Sequence, residues 1–200
     1  MARLFVVRHG NTFDAGQTVT RVGGRTDLPL SVSGRQQAEA LAAHFADTHF
    51  AAALASPLER TRATARAILS QRTDAPALLI RSFLREIDYG QDENQPEEAV
   101  VARVGAAALK AWDEDGTPPD GWLVDPAAIR AGWAQLLKEA AALKQDANVL
   151  VVTSNGVARF LPDVVDALSE GLDRKLKTGA WGEIDVGGNG ARLTGWNQRP

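Results

Sequence analysis

The sequence predicts an α/β fold: a three-layer α/β/α sandwich on a mainly parallel central sheet, closed by a C-terminal hairpin. Three observations carry this. Short apolar runs rich in β-branched residues alternate with segments of helical period, as in successive βα units. The run NVLVVTS at residues 148–154 is apolar without alternation, as a strand covered on both faces must be. The stretches AWGEIDVGG and GARLTGW, at residues 180–188 and 190–196, meet at a glycine-rich turn, which is a hairpin signal.

Leu4 to Arg8 is the first strand. A long loop follows, NTFDAGQTVTRVGGRTDLPLS, rich in glycine and small polar residues and without a period. It is long for a βα connection, and long loops in compact domains are often functional. Ser33 is placed to cap a helix from about Gly34 to Asp47, with Ala38, Leu41 and Phe45 on one face. AAALAS is the second strand. SPLERTRATARAILSQR is the next helix, with Ser56 as N-cap and Pro57 in the first helical position. ALLIRS is the third strand. Two alanine-rich helices are then expected, about Glu97–Glu114 and Pro126–Lys144, separated by an irregular loop. After the central strand, NGVARFLPDVVDALS is a helix kinked or restarted at Pro162.

The composition narrows the function classes. The chain has 200 residues, 44% hydrophobic and 24% charged, which suits one domain spanning 1–200. No cysteine is present, so disulfides, thiolate metal sites and cysteine nucleophiles are excluded. A net charge of −3 and a pI near 5.6, with no basic stripe, argue against nucleic acid as a partner. No apolar stretch approaches the ~18 residues of a membrane span, and the N-terminus lacks a signal-peptide layout. A cytoplasmic location, without a membrane partner, is the expectation.

In a parallel sheet, sites form beyond the carboxyl ends of the strands. Arg8-His9, Ser56 with Arg60, Glu86, and Ser154-Asn155 each follow a strand, so all four groups are expected on one rim. A histidine beside arginines does not suit a metal, because cations repel it; no metal or other cofactor is expected. It suits a dianion. Arginine forks match phosphate oxygens, and Arg60 lies in the first turn of its helix, where free N–H groups add to the attraction. His9 with a free ring nitrogen can attack phosphorus, and Glu86 can protonate the leaving alcohol and then activate water. Simpler roles compete. His9 can be a satisfied strand-end histidine, Arg62 a solvated or ion-paired helix charge, and Glu86 a salt-bridge partner of Arg81 or Arg85. Ser154-Asn155 can be a helix cap, and Arg21 and Arg25 can be surface charges instead of substrate contacts. Asp88, Glu93, Glu97 and Glu98 read as a solvated face, and the five tryptophans as packing or pocket walls.

Five blocks, VVRHGNT, GRTDLPLSVSGRQQAEAL, SPLERTRATA, LREIDYG and VLVVTSNGVAR, resemble in order and spacing those of the histidine phosphatase superfamily, which includes phosphoglycerate mutases. The resemblance covers residues 4 to about 70, 83–90 and 148–160, leaving a divergent helical segment at about 91–146. It implies a phosphoglycerate mutase-like fold and a metal-independent phosphatase acting on a small-molecule phosphomonoester, with a homodimer possible. By this resemblance His9 is the phosphorylated nucleophile, Arg8 and Arg60 clamp the phosphate, Glu86 is the acid and base, and Thr12 touches the phosphate. Asn11 and Asn155 join Thr12, Arg21 and Arg25 as candidate substrate contacts. One block departs: the family's second histidine, followed by glycine, is replaced by Ser154-Asn155. His44, in the first helix, and His49, in the loop after it, do not reach the rim to replace it. The alternatives are thus an enzyme slowed by that loss and a binding or regulatory protein that kept the anion pocket. A mutase is the least favoured, since the mutase asparagine six residues past the nucleophile is Ala15 here.

Overall fold

Six strands form one mixed sheet in the order β3-β2-β4-β1-β5-β6. They are β1 (Ala2–Arg8), β2 (Phe50–Ala55), β3 (Leu78–Ile80), β4 (Asn148–Thr153), β5 (Trp181–Gly187) and β6 (Gly190–Gln198). The computed structural model describes residues 1–70, 72–166 and 172–200. β1, β2, β3 and β4 run parallel, and the β5–β6 hairpin joins antiparallel to β1. In β1, Arg3 stands opposite Asn148 and Arg8 opposite Thr153, so the two central strands end level. That common end is where the site lies.

Successive side chains of a strand point to opposite faces, and the core divides accordingly. Phe5 and Val7 face α1 (Val32–His44) and α2 (Glu59–Leu69), packing with Leu41, Phe45, Phe50, Ala65 and Ile68. Leu4 and Val6 face the other way, toward α5 (Pro126–Ala141), where Trp133, Leu136 and Leu137 meet Val149 and Val151. β4 is buried on both faces, as its unbroken apolar run predicts.

Several boundaries differ from the expectation, each for a physical reason. Helix α1 is capped by Ser31, whose hydroxyl accepts from the Gly34 N–H, and not by Ser33. Asp14 takes the next two donors, the N–H groups of Val32 and Ser33. Helix α2 starts at Glu59 rather than at Pro57. The Glu59 N–H donates to Asp27 of the long loop (2.7 Å), while Ser56 accepts from Leu58. The expected helix 97–114 is two helices, α3 (Glu97–Val104) and α4 (Ala106–Asp115). Gly105 divides them with φ of 82°, a conformation L residues rarely adopt. The helix after β4 is cut to a four-residue α6 (Asn155–Ala158) and a 3₁₀ turn (Leu161–Val164); its expected last residues, 167–169, lie outside the described residues.

The segment between Asp88 and Pro126 is pinned from within. Asp92, 2% exposed, accepts from Arg103 Nε (2.6 Å) and from the Trp122 indole (2.7 Å). Trp122 in turn packs edge-on against Tyr89 and Trp112. Removing a cation from a buried carboxylate leaves a charge that water cannot reach. Arg103→Ala is therefore expected to cost on the order of 1–3 kcal/mol. A denaturant midpoint within error of wild type would show that the Asp92 cluster does not hold this segment.

Candidate active site

At the carboxyl ends of β1 and β4 lies a cavity of about 640 Å³. Arg8, His9, Asn11, Thr12, Arg21, Glu86 and Asn155, all expected at the site, line it, and Arg60 reaches it through His9. Ser154 does not line it.

His9 ends β1 with its backbone N–H on the Thr153 carbonyl, which registers it against the end of β4. Its Nδ1 lies 2.7 Å from the Gly10 carbonyl. A carbonyl only accepts, so Nδ1 carries the hydrogen and Nε2 carries the lone pair. Burial holds the imidazole pKa well below its ordinary value, and the charges of Arg60 and Arg8 add to that effect. The ring is neutral, with its free lone pair on Nε2. Arg60 Nε donates to that nitrogen at 3.2 Å.

Arg60 is 0% exposed, yet its other two nitrogens donate only to the carbonyls of Thr26 (2.9 Å) and Gly23 (3.2 Å). Arg8 donates to the Leu176 carbonyl, and its Nε has no partner. Among the described residues neither arginine forms an ion pair. Two cations are thus held at one spot by neutral acceptors, which is costly unless an anion joins them. Burial lowers both guanidinium pKa values, and Glu86 opposes this most strongly in each case.

Glu86 is buried on the same rim. One carboxylate oxygen accepts from its own chain at Ile87 (3.0 Å), the other from the Gly156 N–H (3.3 Å). A Cβ at Gly156 would lie 2.1 Å from Glu86 Oε1, so only glycine lets α6 approach the carboxyl this closely. Burial raises the Glu86 pKa, and Arg60 and Arg8 pull it back only partly. Neither Arg81 nor Arg85 is its partner. Arg81 pairs with Glu139, and Arg85 donates to the Gly24 carbonyl.

Other expectations need correction. Ser154 is fully buried, its hydroxyl without a hydrogen-bond partner, and it makes no side-chain cap for α6. Asn155 accepts from the Leu176 N–H, which fixes the backbone that Arg8 also holds. Arg25 lies outside the cavity lining and pairs with Asp88 at 2.9 Å. Asp88, Glu93 and Glu97 are not a purely solvated face. Glu93 accepts from the Arg25 and Tyr89 N–H groups, and Glu97 pairs with Arg21. Arg62 pairs with Glu59. His44 stacks on Trp181, and His49 contacts Asp74, both away from the cavity. Trp112 lines the cavity as one of the tryptophans read as packing or pocket walls, whereas sequence reading missed Tyr89, Asp113, Arg159 and Lys175, which also line it. The one available signal was Arg159, an isolated cation in the apolar run VARFL. Among the described residues no cluster of three or more His, Asp or Glu is placed to hold a metal ion, and no helix is long and apolar enough to cross a membrane.

The model of the histidine phosphatase superfamily (branch 1) matches residues 4–199. A 2,3-bisphosphoglycerate-dependent phosphoglycerate mutase of Gloeobacter violaceus is 30% identical over 84% of this chain and 78% of its own. The adenosylcobalamin/alpha-ribazole phosphatase of Escherichia coli is 27% identical over 98% of this chain and 96% of its own. Among solved structures, mycobacterial glucosyl-3-phosphoglycerate phosphatase shares the fold, with a TM-score of 0.79, 21% identity and 99% coverage of both chains.

The lowered pKa of His9 has a consequence for stability. Unfolding returns the ring to about 6.5, so below that pH the unfolded chain binds a proton the folded one refuses, and stability falls with acidification. Glu86 has the opposite sign. Its raised pKa gives the folded state extra protons above 4.5, so its contribution is present below that pH and is lost as pH rises through the folded pKa. Between pH 7.5 and pH 5.5, wild type is expected to lose more stability than His9→Gln. Equal losses in the two proteins, measured by denaturant unfolding, would mean that His9 is not held neutral by its burial.

Proposed function

The chain belongs to the histidine phosphatase superfamily, and from that premise we propose that it is a metal-independent phosphomonoesterase working through a phosphohistidine on His9. The observation that carries this reading is a pair of guanidiniums without ion-pair partners among the described residues: Arg60, which donates to a neutral His9 Nε2, and Arg8, which lines the same cavity. The phosphoryl dianion supplies the negative charge that this arrangement lacks.

In the first half-reaction the Nε2 lone pair forms a bond to phosphorus and the bond from phosphorus to the alcohol oxygen breaks. Arg60 Nε, which donates to Nε2, transfers its hydrogen bond to a phosphoryl oxygen and so releases the nucleophile as substrate enters. Glu86, held toward its protonated form by burial, gives its proton to the departing alkoxide. In the second half-reaction the Glu86 carboxylate takes a proton from water, whose oxygen attacks phosphorus. The N–P bond breaks, and orthophosphate and neutral His9 are restored. Thr12 and Asn11, on the loop after β1, and Asn155 lie where they can orient the bound ester.

Ser154 takes the place of the family's second histidine in this reading. Its buried, unpartnered hydroxyl offers the phosphoryl group at most a neutral donor, and a missing preorganised donor typically costs ~10²–10³ in rate. Turnover slowed by that factor still leaves an enzyme, which separates this proposal from an anion-binding protein without catalysis.

Phosphate release from a panel of phosphomonoesters, with and without chelator, tests the reading. His9→Ala should abolish both release and the acid-labile phosphoenzyme trapped by rapid quench, and Glu86→Gln should lower kcat by ~10²-fold or more. Release that survives in His9→Ala rules the phosphohistidine out. Ser154→His with Asn155→Gly should raise kcat by ~10-fold or more. If the double variant gains nothing while Ser154→Ala matches wild type, the position makes no phosphoryl contact.

A further inference from the structure

Beyond the phosphate end, the cavity is walled by two arginines stacked on aromatic rings. The Arg159 guanidinium lies 4.2 Å above the Trp112 ring, and that of Arg21 lies 5.4 and 5.2 Å from the centres of Tyr89 and Trp122. The ring faces are therefore already occupied, and the cavity offers guanidinium edges where bare aromatic surface would otherwise stand. Arg159 is 1% exposed; it donates to the Trp112 carbonyl (2.5 Å) and to Asp113 (3.0 Å), and its Nε has no partner. Arg21 donates to one protein acceptor, Glu97, and its Nε is likewise unpartnered. Lys175 stands at the same mouth with no carboxylate within ion-pair reach among the described residues.

The carboxylates that pair with these arginines have a different character. Glu97 and Asp113 are about half exposed, at 52% and 54%, whereas Arg159 is buried and Arg21 is 17% exposed. Glu97 begins α3 and Asp113 lies near the end of α4, and the two helices meet at Gly105. An exposed ion pair is worth little, so each carboxylate can be exchanged for another anion at small cost. The guanidiniums, set deeper than their partners, lose more by going without an anion.

We infer that Arg21 and Arg159 form a second anion subsite, filled by Glu97 and Asp113 when the cavity is empty, and that the alcohol part of the substrate carries a second anionic group. This rests on the phosphomonoesterase reading above and narrows its substrate class to carboxylated or doubly phosphorylated esters. Lys175 assists at the rim. Arg8, His9, Arg21 and Arg159 all line the one cavity, so one substrate with two anionic groups satisfies both sites.

Matched ligands test this. Glycerol 3-phosphate against 3-phosphoglycerate, and sorbitol 6-phosphate against 6-phosphogluconate, differ only in a terminal hydroxymethyl or carboxylate at two different reaches. Propane-1,3-diol monophosphate against its bisphosphate tests phosphate as the second group. Affinities are read by titration calorimetry on His9→Ala, which avoids turnover, and kcat/KM on wild type. In at least one pair the doubly charged member should be favoured by about tenfold or more, as expected for a charge-assisted contact. The preference should shrink toward one in Arg21→Gln and grow in Glu97→Gln/Asp113→Asn, a variant pair that does not depend on replacing the buried Arg159. A preference confined to the bisphosphate pair supports the subsite in its phosphate form. Esters with one anionic group that bind and turn over as well as their partners in all three pairs overturn the subsite and leave the phosphatase standing. If no ester binds or is hydrolysed, the phosphomonoesterase reading itself fails, and the subsite with it.

Discussion

The hydrogen bond from His9 Nδ1 to the Gly10 carbonyl, only 2.7 Å long, is the contact on which the site depends. It puts the ring hydrogen on Nδ1 and so leaves Nε2 free. Arg60 Nε–H, which donates to Nε2, favours the same tautomer from the other side of the ring. The bond is made between neighbours in the chain, so its geometry is set where β1 leaves the sheet. Its strength owes little to the loops around the cavity. The orientation of the His9 ring is thus a property of the strand end, while the charge around it is assembled from distant segments.

That division explains how much was legible beforehand. The layers and the parallel centre of the sheet were readable, because the unbroken run of β4 and the alternation of strands and helices are local signals of burial. The rim residues Arg8, His9, Arg60 and Glu86 were readable because each follows a strand. Helix starts were less so. Asp27 caps α2 from 32 positions upstream of Glu59, and no local rule proposes a cap that arrives through tertiary contact. Gly105 inside an alanine-rich helical pattern was the right residue to suspect, but periodicity runs through it unchanged and only its positive φ shows the break.

The outer cavity was the least legible part. Arg159, Trp112 and Tyr89 come from three segments without a shared motif, and each has an ordinary packing role when read alone. What makes them a wall is the stacking of guanidinium on ring, which is a relation between elements rather than a pattern along one. Arg25 went the other way. Its place in the long loop suggested a ligand contact, and a nearby carboxylate, Asp88, claimed it instead. Charge in a loop is uninformative until its partners are known.

The strand order bears on how the chain reaches this state during synthesis. β4 lies between β1 and β2, and it is the strand that joins them. β2 leaves the ribosome roughly a hundred residues before β4, which at ~5–20 residues per second is on the order of 5–20 s. Throughout that interval β1 has no neighbour to pair with, and β2 has only the three-residue β3. The sheet centre closes only when β4 has been made, so the two strands it joins must wait with their apolar faces uncovered on that side.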